Sequence, residues 1–243
     1  MDFLEKIKLK VRAEKYRTKH DAGGIAYIQE VIRPGDAVFD IGAHKGGYLY
    51  YILQQIGDSG RVFAFEPQSS LYSYLVKMKR ICRWKNVTLE NLAVSSSPGT
   101  VTLYIPSNKK STGSSPGASI VQSENTSRAE TREHVRTVTL DGYCQENNIQ
   151  PRFLKIDVEG NELPIFKGGI QTIKKYKPHI LVEIEARHIG EEGVVQTWQY
   201  LQALGYTGHF ICGKEKRPLS EFSFKQHQNL ADMFNYCNNF IFE

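Results

Sequence analysis

The stretch "VFDIGAHKGG", Val38 to Gly47, decides how the rest of the chain is read. Val38, Phe39 and Ile41 surround Asp40 in a short apolar run that stops at Gly42. From Tyr48 to Ile56 apolar side chains recur at 48/49, 52/53 and 56, the spacing of a helix face. Strand, glycine turn and helix in this order open a nucleotide-binding βαβ unit. A dinucleotide site needs G-x-G-x-x-G, whose second glycine lets a pyrophosphate approach the backbone. Here the order is Gly42-Ala43-His44-Lys45-Gly46-Gly47. His44 stands where that glycine belongs, and its Cβ obstructs the approach. No GKS or GKT follows, so a P-loop is excluded as well. A nucleoside ligand without phosphates fits this loop better.

The same rhythm continues outward. "RPGD" (33–36) is a turn ahead of the first strand. "GRVFAFEP" (60–67) is a second apolar strand, followed by a helix with the stripe Leu71, Leu75, Met78 and Cys82. "NVTLENLAV" (86–94) reads as a third strand. Alternation of this kind predicts a parallel sheet. "GTVTLYIP" (99–106) then alternates like an antiparallel or edge strand. Residues 107–131 form a polar loop, and "VRTVTLDGY" (135–143) resumes a strand and enters a short helix. "FLKIDVEG" (153–160) and "HILVEIE" (179–185) are further buried strands. Between them "ELPIFKGGIQTIKKY" reads as one helix, and 191–204 as another. "YTGHFIC" and "NYCNNFIFE" predict closing antiparallel strands. The expectation is one α/β domain over 1–243, a Rossmann-like sheet with helices on both faces. Residues 1–30 form an N-terminal helical extension with Phe3, Leu4, Ile7 and Val11 on one side.

Composition agrees with a globular chain: 243 residues, 40% hydrophobic, 23% charged, net charge +5. Lys6, Lys8, Lys10, Arg12, Lys15, Arg17 and Lys19 crowd the first helix. They read as a solvated face or as a patch for an anionic surface. The four cysteines are scattered without a CxxC pair, which argues against a zinc or redox motif. With no signal peptide and no long apolar run, the expected location is the cytoplasm.

In doubly wound sheets ligands bind at the carboxyl ends of strands. Those ends carry Asp40, Glu66, Asn91, Asp157 and Glu183. S-adenosylmethionine (SAM), a nucleoside with a sulfonium cation, suits this rim. Gly42 supplies the tight turn and Gly46 the room. Glu66, twenty residues after Gly46, accepts the ribose hydroxyl protons, and the acids favour the cation.

At these motifs the chain resembles the FkbM-type, class I SAM-dependent methyltransferases. The likeness runs from about Arg33 to the end through "VFDIGAHKGGY", "VFAFEP", "NVTLENLAVS", "STGSSPGAS", "VRTVTLDGY", "FLKIDVEGNE" and "ILVEIE". It implies a seven-stranded Rossmann-like sheet, SAM as cofactor, and usually O-methylation. By position, Asp40, Gly42, Ala43 and Gly46 would form the SAM loop, with His44 where the family usually has Asn. Glu66 and the adjoining Pro67 would meet the ribose, and Asn91 and Ala93 the adenine. Asp157 would face the methionine part and the acceptor.

An alcohol acceptor calls for a general base, and the candidates are Asp157, Glu159 and His188, with Glu183 and Glu185 behind them. His188 has the ordinary pKa best suited to the task. No closed ligand motif marks a metal, so a metal-free reaction is expected. Ser111, Thr112, Gly113, Ser114 and Ser119 of the polar loop are placed to hydrogen-bond a polyol or to close over it. The expected acceptor is a small molecule or glycan: a polyol, a sugar or a lipid-linked saccharide. RNA methylation and a non-catalytic SAM-fold binding protein are the rival readings; no separate nucleic-acid module is present. Weak membrane-surface contact through the basic helix, and a homo-oligomer, are both compatible with the sequence.

Overall fold

The computed structural model describes residues 2–106, 118–120 and 130–243. In chain order its strands are β1 (Ala37–Ile41), β2 (Arg61–Phe65), β3 (Val87–Glu90), β4 (Ala93–Val94), β5 (Gly99–Pro106), β6 (Glu130–Val138), β7 (Phe153–Ile156), β8 (His179–Glu183), β9 (Gly208–Cys212), β10 (Glu215–Pro218) and β11 (Asn239–Phe242). Eight of them form one sheet in the order β10-β9-β11-β8-β7-β1-β2-β3. From β8 to β3 the neighbours are parallel. β11 runs antiparallel between β8 and β9.

The parallel strands read as near-continuous apolar runs because helices cover both faces. Successive side chains point to opposite faces. Phe39, Leu154, Ile156, Ile180 and Val182 therefore pack on one side with Phe166, Ile173 and Trp198. Val38, Val62, Phe153 and Leu181 pack on the other with Ile25, Ile28, Leu49 and Ile52. Each such side chain contributes roughly 1.5–3 kcal/mol by leaving water.

Four sequence expectations change. Among the described residues the sheet has eight strands, not seven, because β9 turns back into β10. β10 is "EKRP", a mostly exposed edge without an apolar run, so nothing in its pattern marks it as a strand. The stretch 86–94 is two strands: β3 ends at Glu90, and β4 joins β6 and β5 in a separate three-stranded sheet. "ELPIFKGGIQTIKKY" is two helices, Glu162–Gly168 and Ile170–Tyr176, divided at Gly169. A Cβ on Gly168 would meet the Ser95 carbonyl oxygen at 2.2 Å, so close packing fixes this break.

The N-terminal segment is not one continuous helix either. α1 (Asp2–Lys15) loosens into one wide turn, Tyr16–His20, and ends at Asp21. Asp21 caps α2 (Ala22–Val31) by accepting the Gly24 N–H at 2.9 Å. The expected stripe on α1 does share one side, but that side faces solvent. Leu9 and Ala13 are the buried residues.

Candidate functional site

The chain leaves β1 toward β2 and β3 on one side of the sheet, and β7 leads to β8 on the other. The point between β1 and β7 is where the order reverses, and there such sheets bind ligands. β1 ends in the glycine turn. Gly42 has φ +85°, and a Cβ on it would lie 1.9 Å from the Asp157 carbonyl oxygen. Gly42 and Ala43 donate their N–H groups to the Phe65 carbonyl, and Gly46 donates to Ala43. Gly46, at φ +75°, begins helix α3 (Gly47–Ile56).

His44 also lies in the left-handed region, at φ 48°. Asn and His are both enriched there among residues with a side chain. That removes the conformational objection to histidine where the resembled family usually has asparagine. Burial, with Lys45 and Arg12 nearby, pushes the imidazole pKa down to about 4. His44 is therefore neutral at pH 7 and does not repel a cationic ligand.

Beyond the turn lies a cavity of about 420 Å³, within the size range of small-molecule sites. Gly42, His44, Glu66, Pro67, Ala93, Asp157 and Glu159 all line it. Glu66 Oε2 accepts the His44 N–H at 2.7 Å, and Oε1 accepts the Gln68 N–H at 2.9 Å. Each oxygen keeps a second lone pair for a ligand hydroxyl. Burial raises the Glu66 pKa to about 7 despite these bonds. His44 Nε2 and Asn239 Oδ1 are buried with no hydrogen-bond partner among the described residues, and both residues line the cavity. Together with the turn that only glycine fills, they fit a polar nucleoside-type ligand.

Gly42→Ala tests the turn. Alanine pays for a left-handed φ and cannot clear the Asp157 carbonyl without parting the ends of β1 and β7. The affinity for SAM, measured by calorimetry, is expected to fall at least about a hundredfold. Gly213→Ala, at φ +62° with nothing within 4 Å among the described residues, carries the conformational cost alone. It should leave the affinity unchanged; equal losses in the two variants would refute a steric role for Gly42.

Beneath the cavity Lys155 is 1% exposed. Its Nζ lies 3.5 Å from Asp157 Oδ2 and 4.6 Å from the centre of the Tyr48 ring. Burial opposes its charge, but Asp157, Glu183, Asp40 and Asp21 outweigh that and raise its pKa. Burial raises the carboxyl pKa values of Asp157 and Glu183, and Lys155 opposes the shift. Asp40 behaves alike, at about 7. It sits behind the loop, outside the cavity lining.

β7 stops at Ile156, so Asp157 and Glu159 leave the strict alternation of a strand. Glu159 has φ 55° and Gly160 φ 105°, a turn that brings both carboxylates to the cavity wall. His188, on the helix Ala186–Ala203, stands behind Glu159 with Nε2 2.5 Å from Oε2. Burial works against the imidazolium, but the bond and charge of Glu159 prevail and raise its pKa. Glu159, Glu185 and His188 offer ligand atoms all within 4.8 Å of one another, a set able to hold a cation. Arg187 already lies there, 2.5 Å from Glu185 and 3.7 Å from Glu159.

Asn91 has another position than one in the cavity lining. Its amide donates to the Glu66 and Pro67 carbonyls at 2.9 Å and braces that turn. Ser119 donates to the Glu159 carbonyl at 2.7 Å, between Ala118 and Ile120 of the cavity wall. Ser111, Thr112, Gly113 and Ser114 lie outside the described residues. Sequence reasoning missed Tyr16, His20 and Asp21 from the N-terminal segment, and Asn238 and Asn239 from the C-terminal one. The signal for the asparagines was present. An antiparallel last strand begins where its parallel neighbours end, so "NN" before "FIF" falls on the ligand-binding rim.

Sheet order, glycine turn and cavity together define a Rossmann-like methyltransferase fold. Residues 40–207 match the model of the methyltransferase FkbM domain, and the chain belongs to that family of SAM-dependent enzymes. Among solved structures it is similar to the methyltransferase FkbM of Methylobacillus flagellatus KT. The TM-score is 0.56 at 15% identity, over 90% of this chain and 50% of that one. It thus spans half the length of that relative. It is also similar to Aeropyrum pernix fibrillarin with natively bound SAM. There the TM-score is 0.51 at 13% identity, over 90% of this chain and 72% of that one. Among the described residues no helix is long and apolar enough to cross a membrane.

Proposed function

We propose that this chain, acting as one domain, methylates a hydroxyl of a small polyol, a sugar or glycan, or a lipid-linked saccharide. The observation that carries this reading is the cavity at the β1/β7 switch point, with the glycine turn on one side and Glu159 on the other. SAM, when bound, supplies a methyl group made electrophilic by sulfonium. Gly42, His44 and Gly46 form its cradle, and Glu66 accepts its ribose hydroxyl protons. Ala93 and Pro67 lie on the adenosine side. Asp157 faces the methionine part and the acceptor.

Positioning is the main contribution asked of the protein. Glu159 takes the acceptor's hydroxyl proton and His188 holds Glu159 in place and receives that proton. Asn161, Asn238 and Asn239 offer amides to further hydroxyls of the acceptor. The Arg187 guanidinium supplies positive charge among these carboxylates, which supports a reaction without metal.

Release of S-adenosylhomocysteine across a panel of hydroxylated acceptors tests the reaction, with and without a chelator. Turnover with a polyol or saccharide, unaffected by chelation, is expected. Turnover with RNA alone, or with nothing, would replace this reading. Glu66→Ala is expected to weaken SAM binding roughly ten- to a hundredfold, because hydrogen bonds to a charged group are lost. Unchanged affinity by calorimetry would remove Glu66 from the cradle.

A further inference from the structure

We propose that α1 docks this protein on the surface of an anionic lipid bilayer, with Phe3, Leu4, Ile7 and Val11 in contact with the membrane. These four side chains are 72%, 61%, 41% and 51% exposed, which is unusual for large apolar residues aligned on one helix. At about 100° per residue they fall within an arc of about 100°, a continuous stripe about two and a half turns long. Lys8 and Lys15 border the stripe on one edge, Lys6 and Lys10 on the other. Asp2 and Glu5 project from the far half of the helix. Glu14 lies past the stripe's end and is bonded to Arg17. An apolar stripe between two rows of lysines is the geometry of a helix lying in a membrane interface. Between residues 2 and 20 seven basic residues face three acids, so most of the net charge of +5 gathers here.

The helix is held rigidly in this attitude. Leu9 packs with Met78 and Ile81. Arg12 donates to the Tyr74 hydroxyl at 2.8 Å and to the Lys45 carbonyl at 3.2 Å. The stripe is thus the outward face of a docked helix. Charge selects the occupant. A second copy pairing through this face would bring like rows of lysine together. Anionic headgroups match the lysines, and acyl chains match the stripe.

Tyr16 and His20, the next turns of the same segment, line the cavity. The docked segment therefore continues into the cavity wall, through the face turned away from the stripe, and links membrane docking to a lipid-linked acceptor. That last step rests on the proposed O-methylation; the docking itself does not.

The test is flotation of the whole chain with vesicles of phosphatidylglycerol and phosphatidylcholine in equal parts, against phosphatidylcholine alone. Flotation with the anionic vesicles only, weakened by salt, is expected. The doubly substituted Leu4→Ser/Ile7→Ser protein should lose at least about tenfold in partitioning, and so should Lys8→Gln/Lys10→Gln. SAM affinity, measured in parallel, should stay unchanged in both. No flotation, or equal flotation of wild type and variants, would overturn the proposal. So would a concentration-dependent dimer that Ile7→Ser converts to monomer. A failure of docking with SAM binding intact would leave the methyltransferase reading standing.

Discussion

Lys155→Met is expected to lower the melting temperature by roughly 6–20 °C. Removing one partner of a buried ion pair costs about 3–5 kcal/mol, and a chain of this size loses about 2–4 °C per kcal/mol. Methionine keeps an apolar stem of similar length against Tyr48, so packing changes little. What is lost is the cation among Asp157, Glu183, Asp40 and Asp21. The pH dependence separates this from a packing defect. Burial raises the Asp40 pKa from 3.8 to about 7, so the fold prefers its protonated form. Such a group's favourable contribution is complete below its unfolded pKa and is lost as pH rises through the folded one. Without Lys155 the folded values of Asp40, Asp157 and Glu183 rise further. The difference from wild type should therefore be small near pH 4 and grow through pH 7, read by thermal melts across that range. A drop independent of pH would show that the lysine acts by volume alone.

The legible part of this fold is the part where burial acts on both faces. β1, β2, β7 and β8 are apolar runs with Asp40, Glu66, Asp157 and Glu183 at or next to their carboxyl ends, and the pattern alone puts these acids on one rim. The glycine turn was legible because Gly42 leaves no room for any other residue. Where exposure erases the pattern, the reading failed: β10 is polar, and the break at Gly168–Gly169 follows from contacts with Ser95 and Leu140, far away in sequence. The same limit applies to the site. Tyr16 and His20 reach the cavity because the N-terminal segment folds back across α3, with Tyr16 edge-on to Tyr48. Lys155 stands two residues before Asp157 in an apolar strand, and nothing in that pattern foretells a lysine fully buried beneath a carboxylate cluster. Asn91 was legible as a polar residue at a strand end, but its bond to two carbonyls depends on where the 66–67 turn runs.

Glu159→Gln is expected to lower kcat by roughly 10²–10⁴, the usual contribution of a general base, with SAM affinity preserved. His188 is a positioning residue in this scheme, since Glu159 lines the cavity and His188 stands 2.5 Å behind it. The pH profile tells their roles apart. Glu159 raises the His188 pKa above the ordinary 6.5, so the imidazolium persists to higher pH than usual. While His188 holds its proton, Glu159 has nowhere to pass the acceptor's, and the pair is a weak base. Once His188 is neutral, the proton moves from the acceptor hydroxyl to Glu159 and on to Nε2. kcat/KM should therefore rise with pH along a limb whose pKa lies above 6.5 in the wild type. His188→Asn should lower kcat and abolish that limb, whereas a purely structural histidine would lower the rate at every pH alike. A Glu159→Gln enzyme within tenfold of wild type would transfer the proton role to Asp157, whose carboxylate opens onto the same cavity.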